Sequence, residues 1–279
     1  AIDQNYSHYT PVSGYAELRQ AIAAKLKRDN GLDYTAEQIV VSTGAKQSLA
    51  NAILCLVNPG DEVLIPAPYW VSYKEMIKLA GATGVFIEGG IQADFKVTPE
   101  QIETAITPRT KVFMFSSPCN PSGSVYTFDE LRAFSDVFAR HPHVFIISDE
   151  IYENINFTGR HHSIAAFDSI KDRVIVINGL SKGFAMTGWR LGYMAANKDL
   201  AQACDKLQGQ ITSATCSITQ RAAIVAMKTD PLESTDVKMM VEAFKYRRDL
   251  AISLLRDTPG IKLNVPDGAF YLFPEVTSY

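Results

Sequence analysis

The sequence predicts an α/β protein, a mostly parallel sheet flanked by helices, followed by an incomplete α+β small domain. Short and almost wholly apolar segments alternate with longer segments of helical periodicity, as expected of buried parallel strands joined by helices. The 279 residues, 47% of them apolar, suffice for one large domain or two smaller ones, each with a core. A long amphipathic segment near the end breaks the alternation and marks the second unit.

Six apolar segments rich in β-branched residues are predicted strands: 39–42, 62–65, 85–87, 112–116, 144–148 and 174–178. Helical periodicity predicts helices over 45–57, 72–80, 128–140, 200–206 and 218–228. The sequence Asn58-Pro59-Gly60-Asp61 has the composition of a turn and ends the first of these helices.

The last part of the chain predicts a different unit. Its amphipathic segment, 234–256, is a predicted helix, followed by a turn at 258–260 and two short strands, 261–265 and 269–273. We therefore divide the chain into a large domain, residues 1–240, and the start of a small domain, residues 241–279. The chain opens on a loop-like segment and stops without a closing element. We therefore expect that segments of the protein are missing from this sequence at both ends.

Charge and composition argue against several classes of function. A net charge of −3, from 27 basic and 30 acidic residues, gives no basic field for nucleic acid or an anionic membrane. We expect no membrane span, because no apolar run approaches the length that a bilayer requires. We expect no secretory signal, because the first thirty residues contain Asp3, Asp29 and several lysines and arginines rather than a basic segment followed by an apolar one. The four cysteines have no metal-binding or disulfide-framework spacing, which predicts a cytoplasmic protein without a metal site. Four histidines lie in polar segments, and we expect them at the surface: His141, His143, His161 and His162.

Polar residues follow the ends of five predicted strands. In an open α/β sheet, ligands bind beyond the carboxyl ends of the strands, so these residues are expected to form one site. The five segments are 43–46, 68–70, 118–123, 149–152 and 181–190.

Two of these segments suit a phosphate and an aldehyde. The helix start at Gly44 and Ala45 offers unpaired backbone N–H groups to a phosphate, and Arg190 adds a planar fork of donors. Lys182, beside a second cation, would have a lowered pKa, which a lysine needs in order to attack an aldehyde.

The other residues suit a flat heterocycle. Asp149 follows an apolar strand, where its charge requires a cation such as a protonated ring nitrogen. Trp70 suits stacking on the ring, and Asn120 and Tyr152 suit hydrogen bonds to a ring oxygen. Pyridoxal 5'-phosphate meets all of these requirements together.

The segment SKGFAMTGWRLG, residues 181–192, closely resembles the lysine motif of the class I aminotransferases, which belong to fold-type I of the pyridoxal-phosphate enzymes. Four further segments resemble motifs of that family in the same order: STGAKQ (42–47), PYWVSY (68–73), PCNPSG (118–123) and SDEIY (148–152). The similarity runs from about Tyr9 to Phe273 and is greatest to the bacterial and plastid branch that contains aspartate and prephenate aminotransferases. It implies the pyridoxal-phosphate-dependent transferase large domain as the fold of residues 1–240.

The resemblance implies a catalytic role for three of these residues. Lys182 would bind the cofactor covalently and later carry a proton between substrate and cofactor. Asp149 would pair with the ring nitrogen, and Tyr152, with Asn120, would bond the ring oxygen. Trp70 would stack on the ring.

The remaining implied roles concern phosphate, substrate and partner. Gly44, Ala45 and Arg190 would bind the phosphate, and Tyr9 would reach the phosphate of a neighbouring subunit, which implies a homodimer. Lys46 would meet the distal carboxylate of an acidic substrate, in a substrate site that it shares with Trp70 and Asn120. The implied reaction moves an amino group from aspartate or glutamate to a 2-oxo acid.

Two departures and several alternatives accompany this interpretation. Gly179 stands where many members carry a phosphate-binding serine, and the arginine for the substrate α-carboxylate would lie beyond Tyr279. Taken alone, Lys46 is also typical of a solvated first turn of a helix. Prephenate or another amino acid as substrate, a lyase or decarboxylase of the same fold, and a ligand-sensing regulator remain alternatives.

Overall fold

The computed structural model describes residues 1–277, which fold around one seven-stranded sheet. Its strands are β1 (Ile39–Ser42), β2 (Glu62–Ala67), β3 (Thr83–Glu88), β4 (Thr110–Ser116), β5 (Phe145–Asp149), β6 (Val174–Gly179) and β7 (Gly192–Ala195). Its α-helices are α1 (Ala16–Asn30), α2 (Ala45–Leu56), α3 (Ser72–Leu79), α4 (Pro99–Ala105), α5 (Phe128–Arg140), α6 (Lys198–Ile211), α7 (Ser217–Lys228) and α8 (Thr235–Leu255). None of the helices in residues 1–277 combines the length and the apolar character that a membrane crossing demands.

The sheet is mostly parallel, as predicted. The strand order is β1-β7-β6-β5-β4-β2-β3, and β7 alone runs antiparallel to its two neighbours. The carboxyl ends of β1, β4, β5 and β6 therefore lie at the same edge of the sheet. That edge is where the predicted site residues follow their strands.

Both faces of the sheet are buried, which explains the nearly continuous apolar strands. Alternate residues of one strand enter different cores: Phe113 and Phe115 of β4 lie in one, and Val112 and Met114 in the other. Helices α1, α4, α5 and α7 contribute to the first core, whereas α2, α3 and α6 contribute to the second. The helices packed on both faces thus fix the orientation of each strand and the position of its last residue.

The six predicted strands are all present, with ends that differ by at most two residues from the prediction. The predicted helices are present as well, and the segment 234–256 forms α8 with Ser234 as its N-cap, where the Oγ accepts a hydrogen bond from Val237 N at 3.4 Å. The prediction omitted β7, whose four residues show no alternation long enough to recognise, and it also omitted α1 and α4.

The two strands predicted at 261–265 and 269–273 are wrong. Only isolated bridges occur there, Asn156 to Gly268 and Lys262 to Glu275. The backbone of 267–269 instead bonds to the loops of the large sheet, and Ala269 adopts a left-handed φ of 58°, which interrupts an extended strand. The division at residue 240 falls within α8 and stays a prediction, and Ser278 and Tyr279 lie outside the described residues.

Two glycines allow β7 to approach the start of α2 and the end of β6. A Cβ at Gly192 would lie 2.1 Å from the backbone nitrogen of Ala45. A Cβ at Gly179 would lie 2.8 Å from the Cα of Gly192, so a serine does not fit there. The departure at position 179 therefore has a steric reason, the packing of β6 against β7.

We predict that Gly192→Ala lowers the free energy of unfolding by roughly 1–3 kcal/mol, because the added methyl group can be accommodated only by shifting the start of α2. Gly209→Ala in α6 is the matched control. Its Cβ would lie 3.5 Å from Val12, an ordinary contact, and alanine is favoured within a helix. Urea denaturation of both variants measures the difference, and equal stabilities would contradict this account of the packing.

Candidate active site

A cavity of about 230 Å³ opens at the carboxyl edge of the sheet. Eight of the predicted site residues line it: Ala45, Lys46, Trp70, Asn120, Asp149, Tyr152, Lys182 and Arg190. Gly44 lies directly beside it, against Arg190. Residues that are far apart in sequence thus line one cavity, as predicted from their positions after the carboxyl ends of the strands.

Asp149 is the last residue of β5 and is buried. Its Oδ2 accepts a hydrogen bond from the Tyr73 hydroxyl at 2.8 Å, and its Oδ1 accepts one from the backbone N–H of Ile151 at 3.3 Å. Burial raises the pKa of this carboxyl to about 6, although the bond from Tyr73 lowers the pKa. The site therefore holds a carboxylate that is short of positive charge.

Lys182 lies after β6 and faces the same cavity. Its Nζ is 5.5 Å from the ring centroid of Tyr152 and 5.1 Å from that of Phe270. Burial lowers its pKa, and the charge of Arg190 lowers it further, against the opposing effect of Asp149. The amine is therefore more easily deprotonated than an ordinary lysine, as a nucleophile requires.

The start of α2 and the loop after β6 form an anion site. Gly44 has a φ of 88°, in the region that favours glycine, and a Cβ there would lie 2.2 Å from Nη2 of Arg190. The guanidinium donates to the carbonyl of Thr187 at 2.9 Å, which orients it across the helix start. Backbone N–H groups, the helix dipole and a guanidinium together suit a phosphate.

Asn120 and Tyr152 line the same cavity, together with Tyr271. The hydroxyl of Tyr271 is 2.5 Å from that of Tyr152 and accepts a hydrogen bond from Nδ2 of Asn120 at 3.3 Å. Burial and the bond to Tyr271 raise the pKa of Tyr152, so its hydroxyl stays protonated at neutral pH.

Lys46, in the first turn of α2, is exposed at the mouth of the cavity. Its Nζ lies 4.7 Å from the ring centroid of Trp70, within the range of a cation–π contact. The ring of Trp70 is packed edge-on against Tyr73, with 5.6 Å between ring centroids. The ring of Trp70 therefore positions the ammonium group of Lys46 at the entrance of the cavity.

The donor set suits pyridoxal 5'-phosphate. It combines an anion site, a buried carboxylate suited to a ring cation, an aromatic side chain and a lysine with a lowered pKa. Glycine at position 44 allows the guanidinium of Arg190 to lie against the start of α2, where a Cβ would collide with it. Ser181, which lines the cavity, offers a hydroxyl in place of the serine excluded at position 179.

Tyr9 is not part of this cavity. It is 96% exposed and lines a shallow surface depression with residues that include His8 and Cys216. Its predicted contact with a neighbouring subunit stays a prediction.

Sequence reasoning missed two residues of the site, Tyr73 and Tyr271. Tyr73 lies in the first turn of α3, and its backbone N–H donates to the carbonyl of Trp70 at 3.0 Å. Its place in the segment 68–73 was a usable signal. Tyr271 gave no local signal, because its contacts join residues more than a hundred positions apart.

The prediction that His161 lies at the surface is wrong. Its side chain is 7% exposed and its Nε2 lies 2.9 Å from the buried carboxylate of Glu150. With Glu153 these residues form a group that could hold a metal ion. Glu153, however, already pairs with the buried Lys25, and Glu150 also accepts hydrogen bonds from two serines, Ser148 and Ser163. We interpret the group as a buried hydrogen-bonded network next to Asp149, in which Glu153 is paired with Lys25.

Comparison with known proteins gives consistent matches. The family model for aminotransferase class I and II matches residues 1–279. A bifunctional aspartate aminotransferase and glutamate/aspartate-prephenate aminotransferase of Petunia hybrida is 47% identical over 280 residues, and the chain spans 58% of its length. An aspartate/prephenate aminotransferase of Cereibacter sphaeroides is 47% identical over 279 residues, or 69% of its length.

Solved structures of two aspartate aminotransferases are also similar to this chain. The aspartate aminotransferase of Rhizobium meliloti superimposes with a TM-score of 0.96 at 40% identity, over 99% of this chain and 69% of that one. The aspartate aminotransferase of Thermus thermophilus with maleate has a TM-score of 0.95 at 38% identity, over 100% of this chain and 72% of that one.

We predict that Asp149→Asn stabilises the ligand-free protein by about 1–3 kcal/mol at pH 8. A carboxyl whose pKa rises from 3.8 unfolded to about 6 folded loses stability as the pH rises through 6, and asparagine does not ionise. The advantage should therefore shrink as the pH falls from about 6 to about 4 and disappear below about pH 4, where the carboxyl is protonated in both states. Urea denaturation at pH 8 and below about pH 4 measures it.

Asp136→Asn, at an exposed position of α5, is the control and should change stability equally at the two pH values. An Asp149→Asn variant without a pH-dependent advantage would contradict the proposed burial of an uncompensated charge.

Proposed function

Because the chain belongs to the class I and II aminotransferase family, we propose that it transfers the amino group of an acidic amino acid, aspartate or glutamate, to a 2-oxo acid, with pyridoxal 5'-phosphate as cofactor. The observation that carries the proposal is the convergence of Asp149 and Lys182, with opposite charges and opposed pKa shifts, on one cavity beside an anion site. We infer that the functional protein is a homodimer, from the match at Tyr9 alone.

The cofactor, when bound, supplies an aldehyde carbon and a pyridinium ring that accepts electrons. Asp149 would hold the ring nitrogen in its protonated form, because a buried carboxylate is stabilised by an adjacent cation. Tyr73 keeps this carboxylate oriented and favours its ionised state through the hydrogen bond to Oδ2. The hydrogen bond from Tyr73 thereby holds the carboxylate in one position, independently of a ligand.

Lys182 would bind the aldehyde carbon and afterwards carry the proton that leaves the α-carbon of the substrate. Its lowered pKa makes the neutral amine more accessible than in an ordinary lysine, and only the neutral amine can act as a nucleophile or base. Arg190, Gly44 and Ala45 would hold the phosphate, and Trp70 would stack on the ring. Asn120 and Tyr152 would bond the ring oxygen.

The preference for acidic substrates rests on Lys46. Its ammonium group stands at the cavity mouth against Trp70, whereas Arg190 serves the anion site at the start of α2. The Thermus relative was crystallised with maleate, a dicarboxylate. Prephenate is also a 2-oxo acid, and the names of the Petunia and Cereibacter relatives make it a candidate acceptor.

We predict that borohydride treatment of the protein saturated with pyridoxal 5'-phosphate attaches the cofactor to Lys182, as peptide mapping would show. Lys182→Ala should lower the transamination rate by about 10³-fold or more, because both the nucleophile and the proton carrier are lost. Lys206→Ala, at an exposed position of α6, is the control and should retain its activity. An adduct on a different lysine, with Lys182 unmodified, would refute the assignment.

We predict that Lys46→Ala lowers kcat/KM for aspartate by about tenfold, the value of one charged hydrogen bond in a partly solvated site. An apolar donor such as alanine should be almost unaffected, and Lys46→Arg should recover much of the loss. Steady-state kinetics with both donors tests this. Equal losses for aspartate and alanine would mean that Lys46 serves the cofactor or the fold rather than substrate choice.

A further inference from the structure

Glu150 follows Asp149 directly at the end of β5, and its side chain lies on the opposite side of the sheet. Asp149 contacts Tyr73 on one side, whereas Glu150 contacts Ser148, two residues earlier, on the other. Glu150 is only 1% exposed. Because consecutive Cα atoms are about 3.8 Å apart, two buried carboxyl groups are close neighbours here, although only that of Asp149 lines the cavity.

The Glu150 carboxylate is held by three side chains, none of which is a lysine or an arginine. The hydroxyls of Ser148 and Ser163 donate to its Oε1 at 2.9 and 2.6 Å. Nε2 of His161 lies 2.9 Å from its Oε2. Within residues 1–277, this contact with His161 is the only one at ion-pairing distance that Glu150 makes.

The surroundings of His161 favour its neutral form. Its Nδ1 is buried and has no hydrogen-bond partner among the described residues. An imidazolium would therefore bury an unpaired N–H group of a cation, whereas a neutral ring with its proton on Nε2 donates to Glu150 and leaves only an acceptor unpaired. The ammonium group of Lys25 is paired with Glu153. The negative charge of Glu150 consequently lacks a cation of its own among these groups.

We propose that Glu150 is a positioning residue that acts through Asp149: its buried negative charge adds to the stabilisation that Asp149 gives the cationic ring nitrogen of the cofactor. The inference rests on the proposed function. Two neighbouring carboxylates repel each other, and a cation bound to either one relieves the repulsion. The charge of Glu150 accordingly raises the pKa of Asp149. Because Asp149 alone of the two lines the cavity, the cation would bind there.

A double-mutant cycle on stability tests this coupling without the cofactor. Asp149→Asn should stabilise the protein at pH 8, and the gain should be smaller in a Glu150→Gln background, because one of the two repelling charges is already gone. We expect the two gains, measured by urea denaturation, to differ by about two- to tenfold in the unfolding equilibrium constant. Should the double variant fold poorly, the carbon-13 titration midpoint of Asp149 replaces the cycle, and it should be lower in Glu150→Gln than in the unmodified protein.

Two further variants separate the charge of Glu150 from its packing. Glu150→Asp keeps the charge but alters the contacts with the serines, so Asp149→Asn should gain as much in this background as in the unmodified protein. A gain reduced as much as by Glu150→Gln would indicate a structural role only. His161→Gln keeps a donor but cannot carry a charge, so the coupling should be unchanged. A stronger coupling in His161→Gln would mean that a charged imidazole neutralises Glu150, and it would overturn the proposal.

The role toward the cofactor is measured by the affinity for pyridoxal 5'-phosphate, from the change in cofactor absorbance during titration. Glu150→Gln should bind about two- to tenfold more weakly than the unmodified protein. Glu242→Gln, at an exposed position of α8, is the matched control and should bind equally well. An absent coupling in the cycle, or an unchanged affinity of Glu150→Gln, would overturn the proposal. Failure of the unmodified protein to bind pyridoxal 5'-phosphate, with the coupling intact, would instead refute the proposed function and with it the role of Glu150 toward the cofactor.

Discussion

The burial of the Asp149 carboxylate at the end of a central strand is the constraint on which the rest of the site depends. A carboxylate removed from water is unfavourable unless a cation or several donors compensate it, and here two hydrogen bonds do so only in part. The incompletely compensated negative charge favours ligand binding, because a cationic group of a ligand would stabilise the carboxylate. The neighbouring Glu150 does not compensate Asp149 either, because its negative charge raises the pKa of Asp149 further.

The position of that carboxylate relative to the other groups follows from the sheet. Parallel strands bring Asp149 and the segments after β1, β4 and β6 to one edge, and the antiparallel β7 inserts between β1 and β6. The space for β7 depends on glycine at positions 179 and 192, where any Cβ would collide with backbone. The anion site and the lysine are consequently brought together by backbone packing rather than by side-chain contacts.

Much of the fold and of the site could be predicted because both depend on local patterns. Apolar strands can be recognised from their composition. Residues that follow these strands, such as Asp149 and Lys182, are expected at the ligand-binding edge of the sheet, because ligands bind beyond the carboxyl ends of the strands. What escaped prediction depends on long-range contact: the hydroxyl of Tyr271 meets Tyr152 across 119 residues. The prediction for His161 failed for the same reason, since its polar neighbours in sequence give no sign of its contact with the buried carboxylate of Glu150. The strands predicted at 261–265 and 269–273 failed because docking onto the loops of the sheet replaced strand pairing.

The titration of the Asp149 carboxyl tests the central claim most directly. Carbon-13 NMR of protein labelled at its aspartate carboxyl groups, with the Asp149 signal assigned by its loss in an asparagine variant, would follow this group with and without pyridoxal 5'-phosphate. The account predicts a midpoint near pH 6 in the ligand-free protein, well above the ordinary aspartate value, and a clear fall when the cofactor is bound. A midpoint near 4 in both states would contradict it.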